Sequence, residues 1–155
     1  METKEKAVNM TASPQRQDKD TNFLFQRQRV YQSFKEKPKT MLQVSQETGI
    51  YRANICRYVH DMRDEGSVYR LLRGLCPISK NRAIFWTTNL NVALNFWAYE
   101  MLSGKAYGSD EQTALLACIK SYVTSGYDGS KVNIQAEFSE LWDEVRREMD
   151  RRIAL

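Results

Sequence analysis

The side chains best suited to recognise a nucleic acid lie at helical spacing between residues 51 and 60. A guanidinium group can donate two hydrogen bonds to O6 and N7 of guanine, so Arg52 and Arg57 are candidate base-reading residues. Asn54 could pair with adenine or hold a phosphate. His60 could meet a phosphate or have no role, and the ring of Tyr51 could lie against the sugar-phosphate chain or shield the core.

Two consecutive helices are predicted to position these side chains. Thr40 and Gln43 have the spacing of a capping box, which predicts a helix that begins at about Met41. Gly49 is the residue best able to adopt the left-handed conformation that ends this helix and turns the chain. A second amphipathic helix is predicted to follow and to end at Gly66. Its apolar residues recur at spacings of four and three: Ile55, Val59 and Met62.

This arrangement resembles the helix-turn-helix family of DNA-binding proteins. In this family, a small residue lies four positions before the turn glycine and an apolar residue lies five positions before it. Further apolar residues lie one, six and nine positions after the glycine. The matching residues here are Ser45, Val44, Ile50, Ile55 and Tyr58. The chain departs from the family at the cap position of the second helix, which is Tyr51 where a small polar residue is usual. We therefore expect that cap to come from elsewhere or to be absent.

Two short runs rich in β-branched and aromatic residues follow, at 67–74 and 82–89, and predict a β-hairpin with a loop of several residues. Three helices followed by such a hairpin resemble the winged helix-turn-helix fold over residues 22–89. The order Cys-Pro-Ile-Ser-Lys-Asn-Arg-Ala at 76–83, with Thr-Thr-Asn at 87–89, also resembles the wing of small proteins from bacterial phages and mobile elements. Wings of this family often touch the backbone or minor groove of flanking DNA. The resemblance thus implies DNA contacts by four residues: Arg70, Arg73, Lys80 and Arg82.

The predicted start of the first helix of the motif offers a further contact. In a helix-turn-helix complex this N-terminus points toward the phosphate backbone, so the resemblance implies phosphate contacts by Lys39 and Thr40. The alternative is a plain helix cap beside solvated lysines.

Positive charge is concentrated on the same part of the chain. The formal net charge is +4. Residues 21–89 hold twelve basic and five acidic side chains, whereas residues 90–155 hold seven basic and ten acidic ones. An ordinary solvated surface could also carry this surplus of basic side chains. Because the surplus falls on the segment with the motif, it favours a surface that faces phosphates.

The sequence predicts no enzyme, metal site or cofactor site. It has one histidine, and Ser103-Gly104-Lys105 lacks the first glycine of a phosphate-binding loop. The three cysteines are odd in number and widely spaced, which predicts free thiols. The carboxylates of the last predicted helix are spread over a solvated face, so we expect no acid–base pair among them.

The outer segments complete the predicted organisation. Residues 1–20 are polar and aperiodic, which predicts a disordered tail. A first helix is expected over residues 22–37, because Pro38 ends it. The last helix is predicted from Val132 to Ile153. Its apolar stripe could pair two protomers in a homodimer or pack on its own domain. The stripe consists of Ile134, Phe138, Leu141, Val145 and Met149.

The predicted fold is therefore mainly α with a small β-hairpin: a winged helix-turn-helix domain at 21–89 and a helical extension at 90–155. We predict sequence-specific binding of double-stranded DNA by a small transcriptional regulator. The alternative is a winged-helix module for protein interaction or replication assembly, whose basic surface contacts an acidic partner. Because no apolar run approaches the roughly 18 residues of a membrane span and the N-terminus lacks a secretion signal, we expect a cytoplasmic location without a membrane partner.

Overall fold

In a computed structural model of the chain, the structure describes residues 14–154, which form six α-helices and three β-strands. The helices are α1 (Pro14–Glu36), α2 (Met41–Thr48), α3 (Arg52–Asp64), α4 (Leu90–Leu102), α5 (Ser109–Thr124) and α6 (Ser139–Ala154). The strands are β1 (Lys39–Thr40), β2 (Tyr69–Leu75) and β3 (Arg82–Thr87). The prediction of a mainly helical fold with a small antiparallel hairpin is confirmed. Among the described helices, none is long and apolar enough to cross a membrane.

The first helix begins earlier than the sequence predicted. α1 begins at Pro14. Proline suits the first turn of a helix because its fixed φ is helical and because backbone N–H groups in that turn have no partner within the helix, so proline loses no hydrogen bond there. The chain then continues as helix to Glu36, since no helix-breaking residue intervenes. The helix therefore includes residues 14–20, which were assigned to a disordered tail. The first part of that tail, residues 1–13, lies outside the described residues.

The predicted junction between α2 and α3 is confirmed in detail. The Thr40 hydroxyl accepts from the backbone N–H of Gln43 at 3.3 Å, and Oε1 of Gln43 accepts from the backbone N–H of Thr40 at 2.9 Å. Gly49 follows α2 with a φ of 71°, the left-handed conformation that glycine adopts without strain. At the start of α3, Tyr51 provides no side-chain cap.

The turn is held by packing on its inner side. All four apolar residues that carry the family resemblance are buried: Val44, Ile50, Ile55 and Tyr58. The Ser45 hydroxyl donates to the carbonyl oxygen of Ile50 at 2.8 Å and so joins α2 to the far side of the turn. A small residue is suited to this position because its hydroxyl must reach the backbone across the turn.

The three strands form one antiparallel sheet in the order β1-β3-β2. β3 is central, with Lys39 of β1 opposite Trp86 and Arg73 of β2 opposite Ile84. The predicted hairpin is thus β2 and β3. β1 was not predicted, because a strand of two residues is too short to show an alternating pattern.

Side chains from other elements bond the backbone of Arg70, at one end of a break in the ladder of β2. The register shifts between Arg70 and Arg73. The Tyr127 hydroxyl accepts from the backbone N–H of Arg70 at 3.1 Å and donates to its carbonyl oxygen at 3.0 Å. Nε1 of Trp97 donates to the same oxygen at 3.0 Å. These bonds satisfy backbone groups that would otherwise be buried without partners.

Two hydrophobic cores lie on opposite faces of the sheet. Along β3, Ile84 and Trp86 contact the core formed by α1, α2 and α3, whereas Phe85 contacts the core formed by α4, α5 and α6. Tyr69 and Leu71 of β2 also belong to the second core. Because successive side chains of a strand point to opposite faces, one short sheet serves as a wall for both cores.

The C-terminal helix is shorter than predicted, and its stripe is used within the chain. α6 begins at Ser139, whereas the segment expected to be its start consists of the irregular residues 132–135 and a short 3₁₀ turn at Ala136–Phe138. Val145 and Met149 are buried against α4 and α5 together with Trp142. Val145 and Met149 are therefore already covered within the chain, and pairing of two protomers through the C-terminal helices stays a prediction.

Acid should weaken α6 through Glu148. Hydrogen bonds from Arg151 and Arg152, at 2.7 and 2.9 Å, lower the pKa of Glu148 from 4.5 to about 2. A lowered pKa stabilises the fold above the unfolded-state value, and this contribution is lost as the pH falls from 4.5 toward 2. We expect Glu148→Gln to be less stable than the wild type at pH 7 and nearly equal to it at pH 2. Urea unfolding at both pH values measures this, and a constant difference would contradict the assignment.

Candidate nucleic-acid interface

α3 presents a cationic face to solvent, which we define as Arg52, Asn54 and Arg57. The opposite side of the helix is buried in the first core through Ile55, Tyr58, Val59 and Met62. Arg52 and Arg57 are exposed, and neither forms an ion pair with another described residue. Asn54 is half-buried between them. The helix is therefore fixed by its core side, while the two guanidinium groups stay available for an external anion.

Arg57 is positioned by two aromatic rings. Its guanidinium carbon lies 5.3 Å from the centroid of the Phe23 ring and 5.6 Å from that of Tyr58. The two rings themselves meet edge to face, with centroids 5.1 Å apart. Stacking on aromatic faces orients a guanidinium group while its N–H edge remains free to donate. The conformational freedom that Arg57 would lose on binding a base is thereby reduced.

The N-terminus of α3 is open. Tyr51 is 75% exposed and adds no side-chain hydrogen bond to the first turn of the helix. The backbone N–H groups of Asn54 and Ile55 instead point back to the Tyr51 carbonyl oxygen, at 2.9 and 3.2 Å. The positive end of the helix dipole thus adds to the charge of Arg52 and favours an anion beside this turn.

The C-terminal half of the exposed face is acidic. His60 lies between two carboxylates, with Nδ1 3.7 Å from Asp61 and 3.5 Å from Asp64. Asp64 also pairs with Arg63 at 3.0 Å. These carboxylates repel a phosphate, so the structure places His60 at the edge of the cationic face and not within it.

The β2–β3 hairpin carries a second group of exposed cations: Arg73, Lys80 and Arg82. Arg82 donates to the carbonyl oxygen of Arg73 at 3.4 Å, which holds the two arginines together on adjacent strands. Lys80 lies in the loop with a φ of 59°, in the left-handed region. No described carboxylate pairs with any of the three, so the hairpin also presents uncompensated positive charge.

Lys39 and Thr40 do not belong to the exposed surface, which corrects the prediction made for them. Lys39 is 1% exposed, and its Nζ lies 2.6 Å from Glu47 and 2.8 Å from Glu36. Burial lowers the pKa of Lys39, but these two carboxylates outweigh it and the pKa is raised. Thr40 is also buried, and its hydroxyl is used in the capping box and lies 3.3 Å from Sγ of Cys76. A phosphate would have to break these contacts to reach either residue.

Arg70 is likewise buried, so it cannot act as a surface contact. Its side chain reaches along the molecule to the carbonyl oxygen of Arg152 at 3.5 Å, and its Nε has no hydrogen-bond partner. Desolvation lowers the pKa of its guanidinium. No described carboxylate pairs with it. The structure therefore reduces the candidate contacts to the cationic face of α3, Tyr51 and the three hairpin cations, with His60 at the margin.

Phe23 was not predicted as part of the site, because its contact with Arg57 depends on how α1 crosses α3. Among the described residues, no group of three or more His, Cys, Asp or Glu side chains is arranged to hold a metal ion. No family model, curated protein or solved structure matches this chain, so its function has to be inferred from its own residues.

Proposed function

We propose that this protein binds double-stranded DNA in a sequence-specific manner, as a small transcriptional regulator with a winged helix-turn-helix fold and no catalytic role. The observation that carries the proposal is the cationic face of α3. Arg52 and Arg57 project from a helix fixed by its buried side, and neither is neutralised by a described carboxylate. Contacts of an exposed arginine within its own protein usually contribute little to stability, so two exposed arginines are well suited to bind an external partner.

The proposed docking places α3 in the major groove. An α-helix fits this groove, and the arginines of the cationic face would donate to guanine while Asn54 pairs with adenine or a phosphate. Tyr51 and the open N-terminus of α3 would face the sugar-phosphate chain. The hairpin would act as the wing, with Lys80 at its tip against the backbone of flanking DNA and Arg73 and Arg82 behind it.

Selection of bound sites from a pool of random duplexes tests this function directly. We expect recovery of a common sequence, with an affinity that falls steeply as salt is raised, because each phosphate contact releases counterions. Titration of the recovered site at several salt concentrations measures the slope. A pool that is not enriched after repeated rounds at low salt would end the proposal. Inverted repeats among the recovered sites would indicate a homodimer.

The second candidate is a module for protein interaction or replication assembly, and one feature of α1 favours it. Leu24 and Phe25 are 61% and 60% exposed on the outer side of that helix. Adjacent exposed apolar side chains are more typical of a protein contact than of a DNA contact. Under this function, changing both residues to serine would remove partner binding. Duplex binding, where present, would be unchanged.

A further inference from the structure

A pocket lies between the hairpin and the C-terminal helices, away from the cationic face of α3. Its volume is about 630 Å³, within the roughly 300–1,000 Å³ typical of small-molecule sites. Residues of β2, β3, α4 and the end of α6 form its walls. They are Leu71, Leu72, Arg73, Arg82, Phe96, Trp97, Glu100 and Arg152.

The floor of the pocket is apolar. Leu71 and Trp97 belong to the second core and are 5% and 2% exposed. Phe96 packs on Trp97 edge to face, with centroids 5.1 Å apart. Leu72 stands at the mouth and is 46% exposed. A ligand with an apolar body would cover Leu72 and the accessible parts of the two aromatic rings, which water now contacts.

The rim of the pocket carries uncompensated positive charge. Arg152 is neutralised, because it pairs with Glu100 and with Glu148. Arg73 and Arg82 have no described carboxylate partner, and they are joined through the bond from Arg82 to the Arg73 carbonyl oxygen. Behind the wall, the buried guanidinium of Arg70 also lacks a described counter-ion and contacts the backbone of Arg152. The pocket therefore favours an anion over a neutral or cationic molecule.

We propose that this pocket binds a small organic anion with an apolar body, such as an aromatic or medium-chain carboxylate. The carboxylate accepts hydrogen bonds from Arg73 and Arg82, and the apolar body lies on Leu72, Phe96 and Trp97. Arginine suits this role because two N–H groups of its planar guanidinium can donate to the two oxygens of a carboxylate.

Binding of the anion in this pocket is also coupled to DNA binding by the hairpin. This step rests on the proposed function, in which Arg73 and Arg82 support DNA contact. A carboxylate held by the two arginines neutralises the hairpin, so the ligand lowers the affinity for duplex DNA. By linkage, duplex DNA lowers the affinity for the ligand by the same factor.

The test uses three carboxylates, octanoate, 4-phenylbutyrate and naphthalene-2-acetate, each beside its matching primary alcohol. Methyl NMR of the leucine-labelled full chain should show shifts at Leu71 and Leu72 with at least one carboxylate and weaker binding of its alcohol. Arg73→Gln with Arg82→Gln should reduce the carboxylate affinity about tenfold or more, as expected for losing charge-assisted hydrogen bonds. Lys120→Gln with Arg147→Gln removes the same charge from α5 and α6 and should have no effect.

A second variant covers the case in which the double arginine change disturbs the hairpin. Leu72→Glu places a carboxylate at the half-exposed mouth and should abolish binding of the anion. The proposal is overturned if none of the carboxylates shifts the Leu71 and Leu72 methyls. It is also overturned if carboxylate and alcohol bind equally, or if the arginine and control variants behave alike.

The coupling has its own readout. Addition of the carboxylate that binds should weaken the duplex complex of the wild type, and an unchanged complex would overturn the shared use of Arg73 and Arg82. Failure of duplex binding without ligand removes the proposed function alone, because the methyl shifts still decide whether the pocket binds an anion.

Discussion

Replacing Arg52 and Arg57 together by alanine should remove sequence-specific DNA binding. Each arginine that reads a guanine in the major groove contributes about 1–3 kcal/mol of discrimination. Both lie on the exposed side of α3, and the aromatic support from Phe23 and Tyr58 makes Arg57 the larger contributor. Fluorescence anisotropy with a selected site and with an unrelated duplex measures the loss, which should be much greater for the selected site.

The matched control for this pair is Lys120→Ala with Arg147→Ala. These residues are exposed cations of α5 and α6, so the control removes the same charge from outside the proposed interface. Because Arg57 also stacks on two rings, thermal unfolding of each variant must show that the fold persists. Equal loss of affinity in both double variants would mean that only net charge matters and that α3 reads no bases.

Replacing Trp97 by alanine should cost about 3–5 kcal/mol of unfolding free energy, the range measured for large aromatic residues in cores. Trp97 is 2% exposed and supports three neighbours at once: the break in β2 through the Arg70 carbonyl oxygen, Phe96 and Tyr127. Stability of a domain is only about 5–15 kcal/mol, so the variant should be close to unfolding at ambient temperature. Urea unfolding followed by circular dichroism measures the change.

Two companion variants separate the causes. Trp97→Phe keeps an aromatic ring and loses the Nε1 donor, but the Arg70 carbonyl oxygen still accepts from the Tyr127 hydroxyl at 3.0 Å. We expect a smaller loss, about 1–2 kcal/mol. Tyr99→Ala, on the same helix and 69% exposed, should change stability by less than about 0.5 kcal/mol. Similar losses for Trp97→Ala and Tyr99→Ala would contradict the assignment of Trp97 to the core, because alanine raises helix propensity at both positions.

Local signals in the sequence predicted the elements near α3 well. The capping box of Thr40 and Gln43 and the left-handed Gly49 depend on residues a few positions apart, so their geometry follows from the sequence alone. The exposure of Arg52 and Arg57 followed from helical periodicity in the same way. The hairpin was predicted from its two runs of β-branched and aromatic residues.

Features that depend on distant residues were not predicted. Lys39 is buried in an ion pair with Glu47, which lies on a different element. The sequence around Lys39 contains other lysines and does not indicate this pairing. Arg70 is buried because β2 is broken at this point and is covered by Trp97 and Tyr127. The spacing of Ile134 and Phe138 is that of a helix, but Ile134 lies in irregular chain packed against the second core and Phe138 ends a 3₁₀ turn.

The shared sheet also determines what happens when the chain is cut. A fragment that ends at Asn89 would retain α3 and the hairpin, but it would leave Tyr69, Leu71 and Phe85 on a bare surface. Such a surface, beside the edge strand β2, promotes self-association. The amino-terminal and carboxy-terminal halves are therefore not interchangeable modules, and recombination between related genes would have to exchange them together.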